Sequence, residues 1–203
     1  LNHLFLPVFK RILMKRLLLL LVAMVALCTT SANAQRLLPA QKGLEVWGGI
    51  PLQKHGMFKN SAFSVGLNCI KYRKDSHYWL LGAGYVQQYY RYEYMDIPVR
   101  DYLAEGGVML HLLSSPGKEF LVYTGIYATL GYEEVNDGKH LLEDGAYLNA
   151  GDRFIYGGGV QFSLEGFLTD GLLLYAKIKG HFLGGTDLDL FRPALNFGIR
   201  IIM

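Results

Sequence analysis

Phe120-Leu121-Val122-Tyr123-Thr124-Gly125-Ile126-Tyr127-Ala128-Thr129-Leu130-Gly131 alternates without a break. Phe120, Val122, Thr124, Ile126, Ala128 and Leu130 fall on one face of an extended chain, and Tyr123, Gly125, Tyr127, Thr129 and Gly131 on the other. Side chains of a β-strand alternate between faces with period two, so this is the pattern of a strand with two different environments. The same period recurs on both sides. Phe63, Val65, Leu67 and Cys69 oppose Ser64, Gly66 and Asn68; Phe154, Tyr156, Val160, Phe162 and Leu164 oppose Arg153, Gly157, Gly159, Gln161, Ser163 and Glu165. Leu172, Leu174, Ala176 and Ile178 oppose Tyr175, Lys177, Lys179 and His181, and the last run sets Phe191, Leu195, Phe197, Ile199, Ile201 and Met203 against Arg192, Asn196, Gly198 and Arg200. Residues 43–50, 78–92 and 98–112 follow the template less cleanly. About eight strands result, and no segment shows sustained helical periodicity.

Charge decides which face points inward. If Arg153, Glu165, Lys177, Lys179 and Arg200 met water outside, Phe154, Tyr156, Phe162, Phe191 and Phe197 would all crowd a lumen that in eight strands barely holds side chains. Turned the other way, the apolar face meets lipid, and the glycines and charges pack inside. The expected fold is therefore all-β: a closed antiparallel up-and-down transmembrane β-barrel of about eight strands. Connection lengths agree. Short connections at Arg73–His77, Leu113–Lys118 and Phe167–Asp170 alternate with generally longer ones at Pro51–Asn60, Arg91–Ile97, Tyr132–Asp152 and Leu183–Leu190, as in barrels with short periplasmic turns and longer outer loops. Tyr89, Tyr90, Tyr92 and Tyr94 at one end of the third strand and Trp79 at the other fit two interfacial girdles.

The amino-terminal region carries targeting chemistry. Lys15-Arg16 precedes the apolar run Leu17–Cys28 and then Thr29-Thr30-Ser31-Ala32-Asn33-Ala34. The run is shorter than the roughly 20 residues of a membrane span, and the Ala-x-Ala tripeptide predicts cleavage before Gln35. Residues 1–34 are thus read as upstream residues plus a signal peptide starting at Met14, and residues 35–203 as the barrel. Cys28 invites lipidation, but Leu27 before it is not the usual small residue. The other cysteine, Cys69, has no partner for an internal bridge. The formal charge of the 203 residues is +3. Residues 1–34 hold four bases (Lys10, Arg11, Lys15, Arg16) and no acid, so of 20 basic residues 16 remain against 17 acids, a net −1. A basic nucleic-acid-binding face is not implied, and 51% apolar with 18% charged residues excludes a disordered chain.

Other motifs carry little chemistry. Gly157-Gly158-Gly159 lies inside a strand rather than opening a helix, so it makes room for bulky neighbours instead of cradling phosphate. His55, His77, His111, His140 and His181 show no metal-binding spacing. An acyl-transfer enzyme needs a histidine beside its nucleophile; His111 falls near the periplasmic end, His181 near the outer end, and Ser163 has no histidine at its level. No catalytic residue, metal, cofactor or small-molecule substrate is expected. Inside the barrel, Glu105, Arg153, Glu165, Lys177, Lys179 and Arg200 should form a lumenal charge network.

The octet Asn196-Phe197-Gly198-Ile199-Arg200-Ile201-Ile202-Met203 resembles the assembly signal of bacterial outer-membrane barrels, with Asn196, Gly198, Ile201 and Met203 in its slots and Met203 replacing the usual aromatic. Tyr94-Met95-Asp96-Ile97-Pro98-Val99 is similar to a strand-entry motif of Bacteroidetes barrels. With the Gln35-Arg36 start, the Gly43–Pro51 strand bearing Trp47, and the glycine-rich Phe154–Phe162 strand, the chain from Met14 to Met203 resembles the conjugative-transposon TraO family of Bacteroidetes. That resemblance implies an outer-membrane role in the mating apparatus, among other conjugation proteins, and carries over no functional residue. Outer-membrane lipid and the barrel assembly machinery are the other expected partners. Side chains filling the lumen would bar DNA passage. The acidic segment 133–152 holds Glu133, Glu134, Asp137, Glu143, Asp144 and Asp152 against Lys139 alone, which disfavours contact with phosphates. Glu134, Leu141, Leu142 and Tyr147 are its candidate protein-contact residues. The alternatives are a general outer-membrane barrel (adhesin, stabiliser or porin-like) or a lipid-modifying enzyme.

Overall fold

A computed structural model describes residues 39–52, 62–92, 95–139, 147 and 151–203. The expected signal segment, His55, His140, Leu141 and Leu142 lie outside the described residues. Eight strands follow one another: β1 (Lys42–Pro51), β2 (Phe63–Tyr72), β3 (Tyr78–Tyr92), β4 (Met95–Ser114), β5 (Phe120–Val135), β6 (Arg153–Thr169), β7 (Leu172–Gly184) and β8 (Phe191–Ile202). Each pairs antiparallel with its neighbours in sequence order, and β1 closes on β8 from Gly43↔Ile202 to Pro51↔Ala194. Closure leaves no sheet edge, so every strand finds backbone partners on both sides.

The alternation read in the sequence is the alternation of wall and lumen. Along β5, odd-numbered residues from Leu121 to Val135 are buried while Ile126, Ala128, Leu130 and Tyr132 are exposed. Leu81 and Ile126 are 69% and 68% exposed, values that only a lipid-facing surface makes favourable for such residues. Inward glycines receive neighbouring rings: a Cβ at Gly198 would come within 2.5 Å of the Tyr175 hydroxyl, and one at Gly84 within 2.9 Å of Trp47. Gly159, of the triple glycine, lies against Tyr127 in the same way.

Both termini of the barrel share one end with the tight turns. The β2–β3 turn takes Asp75 and Ser76 to φ of 60° and 62°, and in the β4–β5 turn Ser115 Oγ accepts from Glu119 N–H at 3.0 Å and Phe120 N–H at 3.2 Å. At the opposite end one expected loop contracts. Residues 91–97 were expected to connect two strands, yet β3 and β4 stay paired to Tyr92↔Met95, and β4 and β5 to Val99↔Val135. These strands rise beyond the neighbouring β1 and β2 because they bury an apolar cap: Ile97, Val99 and Val135, with Tyr90 and Leu188 against it. Tyr90 therefore turns inward instead of joining a girdle. The outer aromatic zone is built from other residues, including the Phe63–Tyr85, Tyr85–Tyr102 and Phe182–Phe191 ring pairs at 5.8, 5.4 and 4.8 Å.

Candidate functional site: the charged lumen and its outer rim

The lumen between the apolar ends is a stack of ion pairs. Next to the turn end, β8 supplies Arg200, which is 0% exposed. Its Nε and Nη2 donate to Glu45 Oε1 at 2.9 and 2.5 Å, its Nη1 and Nη2 donate to Glu165 Oε2 and Oε1 at 2.5 and 2.7 Å, and its Nη1 and Nη2 also donate to the Tyr72 and Tyr78 hydroxyls at 2.5 and 3.0 Å. The Tyr78 ring lies 4.6 Å from the guanidinium carbon, a stacking geometry available to arginine's planar cation. Lys177 Nζ and Asn68 Nδ2 donate to the other Glu45 oxygen, each at 2.6 Å. Two carboxylates thus meet two cations, with hydrogen bonds filling the remaining acceptor positions, which is the condition under which buried charges persist.

Further along, Glu105 accepts from Lys179 and, at 2.8 Å, from His181 Nε2, while His181 Nδ1 lies 3.3 Å from the Arg192 carbonyl. Lys179 lies over the Tyr127 and Trp47 rings at 4.7 and 5.6 Å. A third tier sits under the outer cap. Arg192 Nη1 reaches Asp101 Oδ2 at 2.8 Å and Nη2 reaches Glu133 Oε2 at 2.5 Å. Thr186, from the β7–β8 connection, donates to Glu133 Oε1 at 2.7 Å and accepts from Arg192 at 3.0 Å, tying that loop onto the lumen.

Five of the six residues expected in the lumen are there: Glu105, Glu165, Lys177, Lys179 and Arg200 are all buried. Arg153 is the correction. It has the inward phase of β6, but it opens the strand above the rim and pairs with Asp187 at 2.5 Å, both side chains more than 40% exposed. Glu45, Asp101, Glu133 and Arg192 were missed as members. Glu45 was legible as a lone acid between Leu44 and Val46 at alternating spacing. Asp101 and Glu133 were hidden because strands β4 and β5 run further outward than their patterning suggests. The lumen is also less uniformly charged than expected. Its turn end is filled by Ile70, Tyr72, Tyr78, Leu80, Met109, Leu121, Tyr123 and Tyr127.

The acidic segment 133–152 changes character accordingly. Glu133 belongs to the lumen, Asp137 and Glu134 pair with Arg100, the latter at 3.8 Å, and Asp152 accepts the Val135 N–H at 3.0 Å. Four of the six acids are therefore engaged within the protein. Tyr147 is 70% exposed. At the seam, Asn196 is buried and its Oδ1 accepts from Ser64 at 3.4 Å; Gly198 receives Tyr175; Ile201 and Met203 face outward.

A family model of the conjugative transposon protein TraO matches residues 38–203. The chain belongs to the TraO family. The match spans β1 to β8, so the TraO domain and the barrel are one object. A search of curated proteins returned no significant match. Among solved structures, Neisserial surface protein A (NspA) is similar at 14% identity and a TM-score of 0.50, over 79% of this chain and 95% of that one. Ail, the attachment invasion locus protein of Yersinia pestis, is similar at 9% identity and a TM-score of 0.53, over 82% and 100%. At these identities the likeness concerns the fold: this member of the TraO family is a closed eight-stranded barrel of the same architecture.

Proposed function

We propose that this TraO barrel is a non-enzymatic component of the conjugation apparatus, resident in the bacterial outer membrane, where it anchors or binds other transfer proteins through its outer rim. Family membership supports the link to conjugation. The observation that carries the molecular reading is the occupied lumen. Arg200, Glu45 and Glu165 are fully buried against one another, so the barrel's interior is a packed core, which supports a reading with no DNA path through the lumen. The apolar exterior supports residence in a bilayer, and the turn end, which carries both barrel termini, is then the periplasmic one. Export rests on a signal peptide cleaved before Gln35, and insertion on the assembly machinery reading the β8 seam at Asn196, Gly198, Ile201 and Met203.

Partner contact is assigned to the segment after Glu134, where Leu141, Leu142 and Tyr147 add apolar area to an acidic stretch that would repel nucleic acid. Deleting residues 140–150, which spares β5 and the cap residue Val135, should leave a folded, outer-membrane-located barrel while transfer frequency falls at least tenfold. Normal transfer from a correctly inserted deletion mutant would refute the rim assignment. A transfer defect absent even in a full knockout would refute the conjugation role. In planar bilayers the intact protein should show no steady conductance.

A further inference from the structure

The lipid-facing wall is not evenly covered. On adjacent strands β4, β5 and β6 the outward positions Gly106, Ala128 and Gly158 stand in register, Gly106↔Ala128 and Ala128↔Gly158. Their small size leaves a trough of about 830 Å³ that runs past Leu81, Ile126 and Trp79. It ends at Lys42 and Lys71, which are direct cross-strand partners on the outer face of β1 and β2. A second hollow of about 500 Å³ adjoins it, sharing Lys71 and Trp79 and adding Arg73 and Lys74 from the turn. Like charges directly opposite each other across a ladder destabilise it, and among the described residues neither lysine has an acid within ion-pair distance. The described side chains lining the two hollows include four cations, Lys42, Lys71, Arg73 and Lys74, and no acid.

We infer that this trough is a binding site for one anionic phospholipid of the periplasmic leaflet, an acyl chain lying over Gly106, Ala128 and Gly158 and the headgroup phosphate bridging Lys42 and Lys71. The inference rests on the membrane-barrel reading above and adds a specific ligand to it. Bulk lipid covers any barrel wall. Here an apolar channel joins a cationic seat whose described lining carries no acid, and a phosphodiester relieves the repulsion between the lysines. Trp79 lines both hollows, with Arg73 5.7 Å from its ring, so it reports on the occupant.

The test folds the protein into phosphatidylcholine vesicles doped with a constant small fraction of brominated phosphatidylglycerol or brominated phosphatidylcholine and measures quenching of Trp79, with Trp79→Phe correcting for Trp47. Preference for the anionic lipid should be at least about fivefold, dropping by about fivefold for each of Lys42→Gln and Lys71→Gln. Ala128→Phe, which fills the trough without changing charge, should abolish the preference. Lys118→Gln, on another turn of the same rim, should leave it unchanged. Equal quenching by the two lipids, or equal loss with Lys118→Gln, would overturn the site in favour of bulk lipid or general surface attraction. A bismaleimide-linked dimer through Cys69, which borders the trough, would overturn it in favour of a second copy of the chain. Failure of the wild-type protein to insert at all would instead remove the membrane-barrel reading on which the site depends.

Discussion

Arg200 and Arg153 occupy equivalent phases on their strands, yet they sit in different physical worlds. Arg200 is wholly enclosed and serves two carboxylates, whereas Arg153 meets one aspartate at an exposed rim. The comparison teaches that strand phase tells which side of the wall a residue faces, while height along the barrel decides how much its charge matters. Inside, removing one partner strands the other in low dielectric; at the rim, water takes its place.

The largest effect should follow Arg200→Met. Glu45 and Glu165 would lose their shared cation, and unfolding stability in denaturant titrations of the reconstituted barrel should fall by about 5 kcal/mol. A fall below 1 kcal/mol would break the comparison at its strongest point. Lys177→Leu should cost about 3 kcal/mol, since Glu45 keeps Arg200 but loses the 2.6 Å contact to the ammonium. Arg192→Met tests the intermediate height. Its two acids are buried beneath the cap but keep other donors, Glu133 from Thr186 and Asp101 from Gln88, and a loss of about 2 kcal/mol is expected, together with faster proteolysis of the β7–β8 connection that Thr186 tethers. Arg153→Ala should change stability by less than about 1 kcal/mol, and a larger loss would show that the rim is drier than its exposure indicates.

These tiers also mark how far the sequence could be read. The eight strands, their faces and the sense of the barrel were legible because each residue's face follows from its own place on a strand, and because charge and volume together admit one sense of closure. The triple glycine and the seam glycine Gly198 were legible as space for neighbours, though which rings they receive was not. Arg153 was misplaced, and Asp101 and Glu133 were assigned to no network, for one reason. Alternation continues unchanged when a strand leaves the membrane, so it carries no marker of height.

What the sequence determined alone was a wall with an apolar outer face and a polar inner one, since that depends on local periodicity and on the high cost of facing charge to lipid. Partnership was decided by tertiary structure. Arg200 meets a carboxylate 155 positions away at Glu45, and Lys177 reaches the same group across 132 positions. Those encounters depend on closing β8 against β1 with one register, which stacks side chains from distant strands at common heights. No local pattern encodes that registry; it exists only once the sheet has curved through eight strands and met its own first edge.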